Sequence, residues 1–224
     1  MKKITSTIIL GLAILIFGAT DSFAQRDLTC AGSFSNIRVA NVFVPNGATC
    51  QLTGTRVLGN VQLGQNSSFV GQGVRVNGSI QSDGGNNLSM NNSIVRGSFQ
   101  VKLSNNVSVS ASTLNGSVQL EENRGTLTIS NSAMNGDLEA KKNLGAINLT
   151  GNTRIWGNIQ VEENLSEIRI SNNTTEGDLQ VFKNQAAILI TDNVIRQNFQ
   201  CGENPLGVTE SDNFVGGNRE CDPF

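Results

Sequence analysis

The sequence predicts an all-β fold, a single-stranded right-handed parallel β-helix of about ten coils with 19–21 residues and three short strands to the coil. Three observations predict it. A glycine recurs at Gly59, Gly78, Gly97, Gly116, Gly136, Gly157, Gly177 and Gly217, with Ala40 and Gln197 filling the gaps in the series. Each of these positions opens a short stretch of alternating apolar and polar residues, a period of two that belongs to strands. The four cysteines fall in two pairs twenty residues apart, Cys30 with Cys50 and Cys201 with Cys221.

The elements follow from the columns. Counting the glycine as position 0, positions +2 and +4 are mostly apolar, as in Val61 and Leu63, Val118 and Leu120, or Ile159 and Val161. Position +3 between them holds Gln62, Gln81, Gln100, Gln119, Glu139, Gln160, Gln180 and Gln200. One dry face and one wet face define the first strand. A second strand reads Val107-Ser-Val, Leu127-Thr-Ile, Ile147-Asn-Leu, Ile168-Arg-Ile and Ile188-Leu-Ile. A third supplies one inward residue two places before the glycine, among them Val57, Val76, Val95, Leu114, Met134 and Ile155. Between strands lie Gly and Asn, which tolerate a left-handed backbone at corners. Asn123, Asn143, Asn164, Asn184 and Asn204 share position +7, and Asn92, Asn131, Asn152, Asn172 and Asp192 share position −5. Both columns are expected to stack their amides on one another and on the turn backbone.

Charges sort independently into the same register. Positions +5 and +6 read Glu121-Glu122, Lys141-Lys142 and Glu162-Glu163, so successive coils set opposite charges about 4.8 Å apart. Cysteines one coil apart are within disulfide reach, which predicts the bonds Cys30–Cys50 and Cys201–Cys221 at the two ends, where unpaired strand edges fray. Parallel crossovers set the expected right hand.

Residues 1–24 read as a signal peptide: Lys2 and Lys3, a largely apolar stretch from Ile4 to Ala19, then Ser22-Phe23-Ala24 as a small-residue cleavage site. Its unbroken apolar run is about ten residues, half of the ~20 that span a bilayer, so no membrane insertion is expected. Residues 25–224 then form one β-helix domain, exported to the periplasm or the extracellular medium, with disulfides suited to that compartment. The short, two-lysine leader has a bacterial form. The exported chain carries 14 basic and 17 acidic residues and no histidine or tyrosine. That near balance points away from nucleic acid.

Over the whole exported chain this pattern resembles the right-handed parallel β-helix proteins of the pectin-lyase-like superfamily, and the C-terminal NPLGVTESDNFVGGNREC resembles the closing segment of small secreted bacterial repeat proteins of unassigned function. Many members of that superfamily act on acidic polysaccharides, and the resemblance therefore implies an enzyme as one alternative. The polygalacturonase-like segments Asn-Thr-Asp, Asp-Asp, Gly-His-Gly and Arg-x-Lys do not occur here. Asp137 and Asp178 share position +1 two coils apart, near carboxylate-pair spacing, but a solvated polar row explains them without a raised pKa. No cofactor or metal is implied. Zinc would need His or Cys clusters, and the glutamates that calcium would need are interleaved with lysines.

Surface chemistry remains. The glutamine row, with Gln100, Gln119, Gln160 and Gln180 at its centre, offers a flat repetitive face for an extracellular polysaccharide or a cell-surface component. Trp156 at position −1 is expected to face outward, where an indole can stack on a sugar ring or lie over its own coil. Stacked amides also stabilise parallel sheets without any ligand. The row Ser110, Ser130, Thr150, Ser171 and Thr191 invites ice or crystal-surface binding, but its neighbours Ser108, Thr128, Asn148, Arg169 and Leu189 lose regularity within a few coils. These residues favour an exported non-enzymatic binding or structural module over a polysaccharide lyase or hydrolase.

Overall fold

A computed structural model describes residues 26–221; the expected signal peptide lies outside the described residues. Three parallel sheets of 11, 10 and 10 strands run the length of a solenoid of about ten coils. In the coil after Gly116 the three strands are Val118–Glu121, Leu127–Ser130 and Ala133–Met134. The predicted inward strand columns are paired registers: Val118 lies opposite Leu138 and Leu138 opposite Ile159 in the first sheet, Leu127 opposite Ile147 in the second, and Leu114 opposite Met134 in the third.

The inward columns form one continuous dry core. Phe69, Phe99 and Phe199 are fully buried, as are Ile80, Leu114, Ile129, Met134 and Ile147. Because equivalent residues stack directly, each buried side chain packs on its counterparts above and below, and burial of that kind contributes roughly 1.5–3 kcal/mol for a large aliphatic residue.

Corners pose a different problem. Strands end there, and backbone N–H groups still need acceptors. Side chains supply them. At position +7, Asn123, Asn143, Asn164, Asn184 and Asn204 are buried. Asn143 Oδ1 accepts from the N–H of Asn123 at 2.9 Å, and Asn143 Nδ2 donates back to Leu120 O at 2.9 Å and forward to Asn164 Oδ1 at 3.0 Å. The same set of bonds repeats from Asn164 to Asn184.

The corner between second and third sheets departs from expectation. Asn131 and Asn172 are exposed residues with positive φ, 48° and 56°. They make the left-handed bend and carry no amide stack. The buried ladder is the adjacent column: Ser93, Ser112, Ser132, Asn152, Asn173 and Asn193. There the N–H of Ser132 donates to Asn152 Oδ1 at 3.1 Å and Asn152 Nδ2 donates to Asn173 Oδ1 at 2.9 Å. Asn152 changes columns because Gly151 takes the left-handed position, φ 64°, and Thr153 adds one residue before Arg154.

The recurrent glycine also has a different cause from the one expected. Those glycines do not have positive φ. Instead a Cβ on Gly116 would lie 2.6 Å from the carbonyl of Gly97 in the preceding coil, so the corner closes only without a side chain. Where Gln197 replaces glycine, its N–H stretches to 3.4 Å from Gly177 O, against 2.9 Å for Gly78 to Gly59. On the first-to-second corner the left-handed position falls to Glu122, Lys142, Glu163, Lys183 and Glu203, φ 53–58°.

Both cysteine pairs are joined as predicted, with alpha carbons 5.3 Å apart for Cys30–Cys50 and 4.4 Å for Cys201–Cys221. The last coil adds a second closure. Glu210 and Arg219 replace Ile190 and Phe199 in two inward columns and pair with each other at 2.8 Å. A charged pair thus ends the apolar stack, and the Glu210 Oε2 atom is buried without a hydrogen-bond partner.

Substituting Asn143 by Ala should therefore lower the unfolding free energy by about 3 kcal/mol or more, because it orphans a buried N–H and a buried carbonyl at once. Urea unfolding checks this against Asn131→Gly, at an exposed left-handed position, which should change stability by about 1 kcal/mol or less.

Candidate functional site

The first strand of each coil places its +3 residue outward, and the predicted glutamine row is continuous in register from Gln62 to Gln200. Its side chains form hydrogen-bonded ladders. Gln81 Nε2 donates to Gln100 Oε1 at 3.0 Å, and Gln100 Nε2 to Gln119 Oε1 at 2.8 Å. A second run joins Gln160 to Gln180 and Gln180 to Gln200, each at 2.9 Å. Glu139, an acceptor with no N–H to give, separates the two runs, and among the described residues no hydrogen bond links it to Gln119 or Gln160.

Two outward rows, +3 and +5, enclose a trough parallel to the solenoid axis. Gln62, Gln81, Gln100 and Gln119 form one wall, Asp83, Lys102 and Glu121 the other, and the open volume is about 370 Å³. A smaller depression bounded by Gln119, Glu121, Glu139 and Lys141 continues it. Its walls offer amides, one ammonium and carboxylates at coil spacing, which suits hydrogen bonding to a chain of hydroxyl groups.

The charged wall is internally paired. Lys102 Nζ lies 3.3 Å from Glu121, and Lys141 Nζ lies 2.9 Å from Glu162. The hydrogen bond and negative charge of Glu121 hold the Lys102 ammonium above its ordinary 10.5, and Glu162 does the same for Lys141. The interleaved lysine layer keeps the glutamates from converging, and no described group of three His, Cys, Asp or Glu residues could hold a metal ion.

Trp156 is outward as expected, 51% exposed. It stands at the end of the third strand, around the Gly157 corner from the glutamine row, so the two predicted features are not brought together. One face of the indole is occupied: the Arg154 guanidinium lies 3.5 Å from the ring centroid and pairs with Glu176 at 3.2 Å. Neither feature of that stack was visible in the columns as aligned by glycine.

Asp137 and Asp178 do more than meet solvent. Asp137 Oδ1 accepts from the N–H of Asn158 and Asp178 Oδ1 from that of Asn198, both at 2.8 Å. Asn41, Asn60 and Asn158 serve the same corner. They are links of a third ladder, which argues against a catalytic pair. The hydroxyl row of the second sheet is paired from Ser110 to Thr191, and its neighbours change from Ser108 and Thr128 to Arg169 and Leu189, as expected.

Comparisons with protein-family models, with curated proteins and with solved structures found no match to this chain. What the geometry defines is the class: an all-β parallel solenoid with three strands per coil, two terminal disulfides and an amide-lined trough on its first sheet. No helix among the described residues is long and apolar enough to cross a membrane.

Raised lysine values stabilise the fold below their unfolded value and cease to do so as pH climbs through the raised one. Thermal unfolding temperature should accordingly fall as pH rises beyond 10.5, and the Lys102→Met, Lys141→Met double variant should show a shallower fall. Parallel curves would contradict the paired wall.

Proposed function

We propose that this chain is an exported, non-enzymatic solenoid that binds carbohydrate along the first-sheet trough, within a bacterial β-helix lineage of pectin-lyase-like type. The observation that carries the reading is the Gln81–Gln100–Gln119 ladder, which spends one N–H and one carbonyl position of each inner amide on its neighbours and fixes the remainder in a straight outward row. A preorganised row of this kind loses little rotamer entropy when a linear glycan docks. Disulfides at both ends suit an oxidising compartment, and residues 1–24 supply the export signal. An enzyme is disfavoured because Asp137 and Asp178, the carboxylate pair singled out from the sequence, are engaged in corner hydrogen bonds, and Glu121 and Glu162 are separated by Lys141.

A panel of neutral and charged polysaccharides, followed for binding and for product release, tests it. The triple substitution of Gln100, Gln119 and Gln160 by Ser should weaken binding of a neutral glycan about tenfold with little loss of stability, and Trp156→Ala should leave it within about twofold. Turnover of any polymer, or undiminished binding by the triple variant, would overturn the reading.

A further inference from the structure

The near neutrality of the chain conceals a division. Residues 26–114 carry six basic and two acidic side chains, whereas residues 115–221 carry eight basic and fourteen acidic ones. In the basic half the charge is gathered on one face. Arg38, Arg56 and Arg75 are directly paired outward residues of the third sheet, and Arg96 follows one coil on, two residues past the position paired with Arg75. All four are exposed.

The fold does not ask for this column. Its later members are Ile94, Thr113, Ala133, Arg154, Thr174, Val194 and Phe214, of which only Arg154 is charged and is taken up by Glu176 and Trp156, and like charges placed directly opposite in a sheet destabilise it. Nor does the molecule neutralise it. Lys102, Lys141, Lys142 and Lys183 each have a glutamate within 4 Å, while among the described residues Arg38, Arg56, Arg75 and Arg96 make no ion pair. Three guanidinium groups borne on positions one coil or about 4.8 Å apart, with Arg96 displaced two residues along the next coil, are left exposed and without an acidic partner among the described residues.

We propose that this arginine column binds a linear glycan bearing sulfate or phosphate esters. A tetrahedral oxyanion has three terminal oxygens and can accept from the forks of two successive arginines, whereas a carboxylate has two oxygens and matches a single fork. The column is one side chain wide, so it follows a polymer rather than a membrane plane. Thr53, Gln72 and Asn91 continue the same coils across the neighbouring corner and offer hydroxyls and amides to sugar rings. No aromatic side chain occupies the column between Arg38 and Arg75, which leaves no base-stacking platform of the kind single-stranded nucleic acids use. The inference shares with the trough reading only that the ligand is a glycan; the two faces are different and can fail separately.

The test is binding of dextran sulfate, phosphorylated dextran, polygalacturonate and unmodified dextran to the full exported chain at low ionic strength, with the Arg56→Thr, Arg75→Thr double variant alongside. Threonine already occurs in this column, and an unchanged or higher melting temperature verifies that the variant is folded. Binding of either ester should fall about tenfold or more in the double variant and stay unchanged in Arg169→Thr, an exposed arginine of the second sheet. The sulfated and phosphorylated arms tell the two esters apart. Equal, equally arginine-dependent binding of polygalacturonate would overturn the tetrahedral-oxyanion assignment. Absence of ester binding, or equal loss on Arg169→Thr, would overturn the site.

Discussion

Corner amides govern this molecule. A coil of 19–21 residues must turn three times, and at each turn the sheet's own carbonyls no longer meet every N–H of the next coil. The chain fills each deficit with a side chain that recurs one coil on: buried Asn at the first corner, buried Ser then Asn at the second, and Asn, Ser or Asp at the third. Such ladders work only if the repeat length stays close to constant, since a side chain displaced by one coil position has no N–H to serve. The regular spacing and the steep bias toward Asn and Ser share that one cause.

The ladders also explain how a slender solenoid supports an outward surface. With backbone and core satisfied by columns, the outward rows are free to vary, and they vary in blocks: glutamine amides on the first sheet, arginines on the early third sheet, alternating lysine and glutamate at the first corner. Ends receive separate treatment. One disulfide closes each, and the Glu210–Arg219 pair replaces apolar stacking at the last coil.

Most of the fold was legible because column identity survives in the sequence. Gly116, Gln119 and Asn123 recur at fixed offsets, and Cys201 and Cys221 fall into the same frame, whereas Cys30 and Cys50, also twenty apart, lie in different columns. Three things were not legible, each for a physical reason. Asn152 looked like a left-handed corner residue until Thr153 was seen to add a place to that turn alone. Glycine at position 0 invited a backbone explanation, although the cause is the approach of the preceding coil, which no single coil reveals. The arginine column was hidden twice, by whole-chain charge balance and by an 18-residue step from Arg38 to Arg56 that falls outside the usual spacing. Of the candidate site, the glutamine row was readable from position alone, but the trough beside it depends on the +5 wall, and the Arg154 cover on Trp156 depends on side-chain geometry.

Stacking of residues one coil apart is the proposition on which ladders, trough and arginine column all rest. Peptide mapping of the oxidised, non-reduced protein tests it most directly, since Cys201 and Cys221 are register partners and Cys30 reaches Cys50 of the next coil across the first corner. Cross-linked peptides should contain only Cys30 with Cys50 and Cys201 with Cys221; a bond joining a cysteine of the first pair to one of the second would contradict the account.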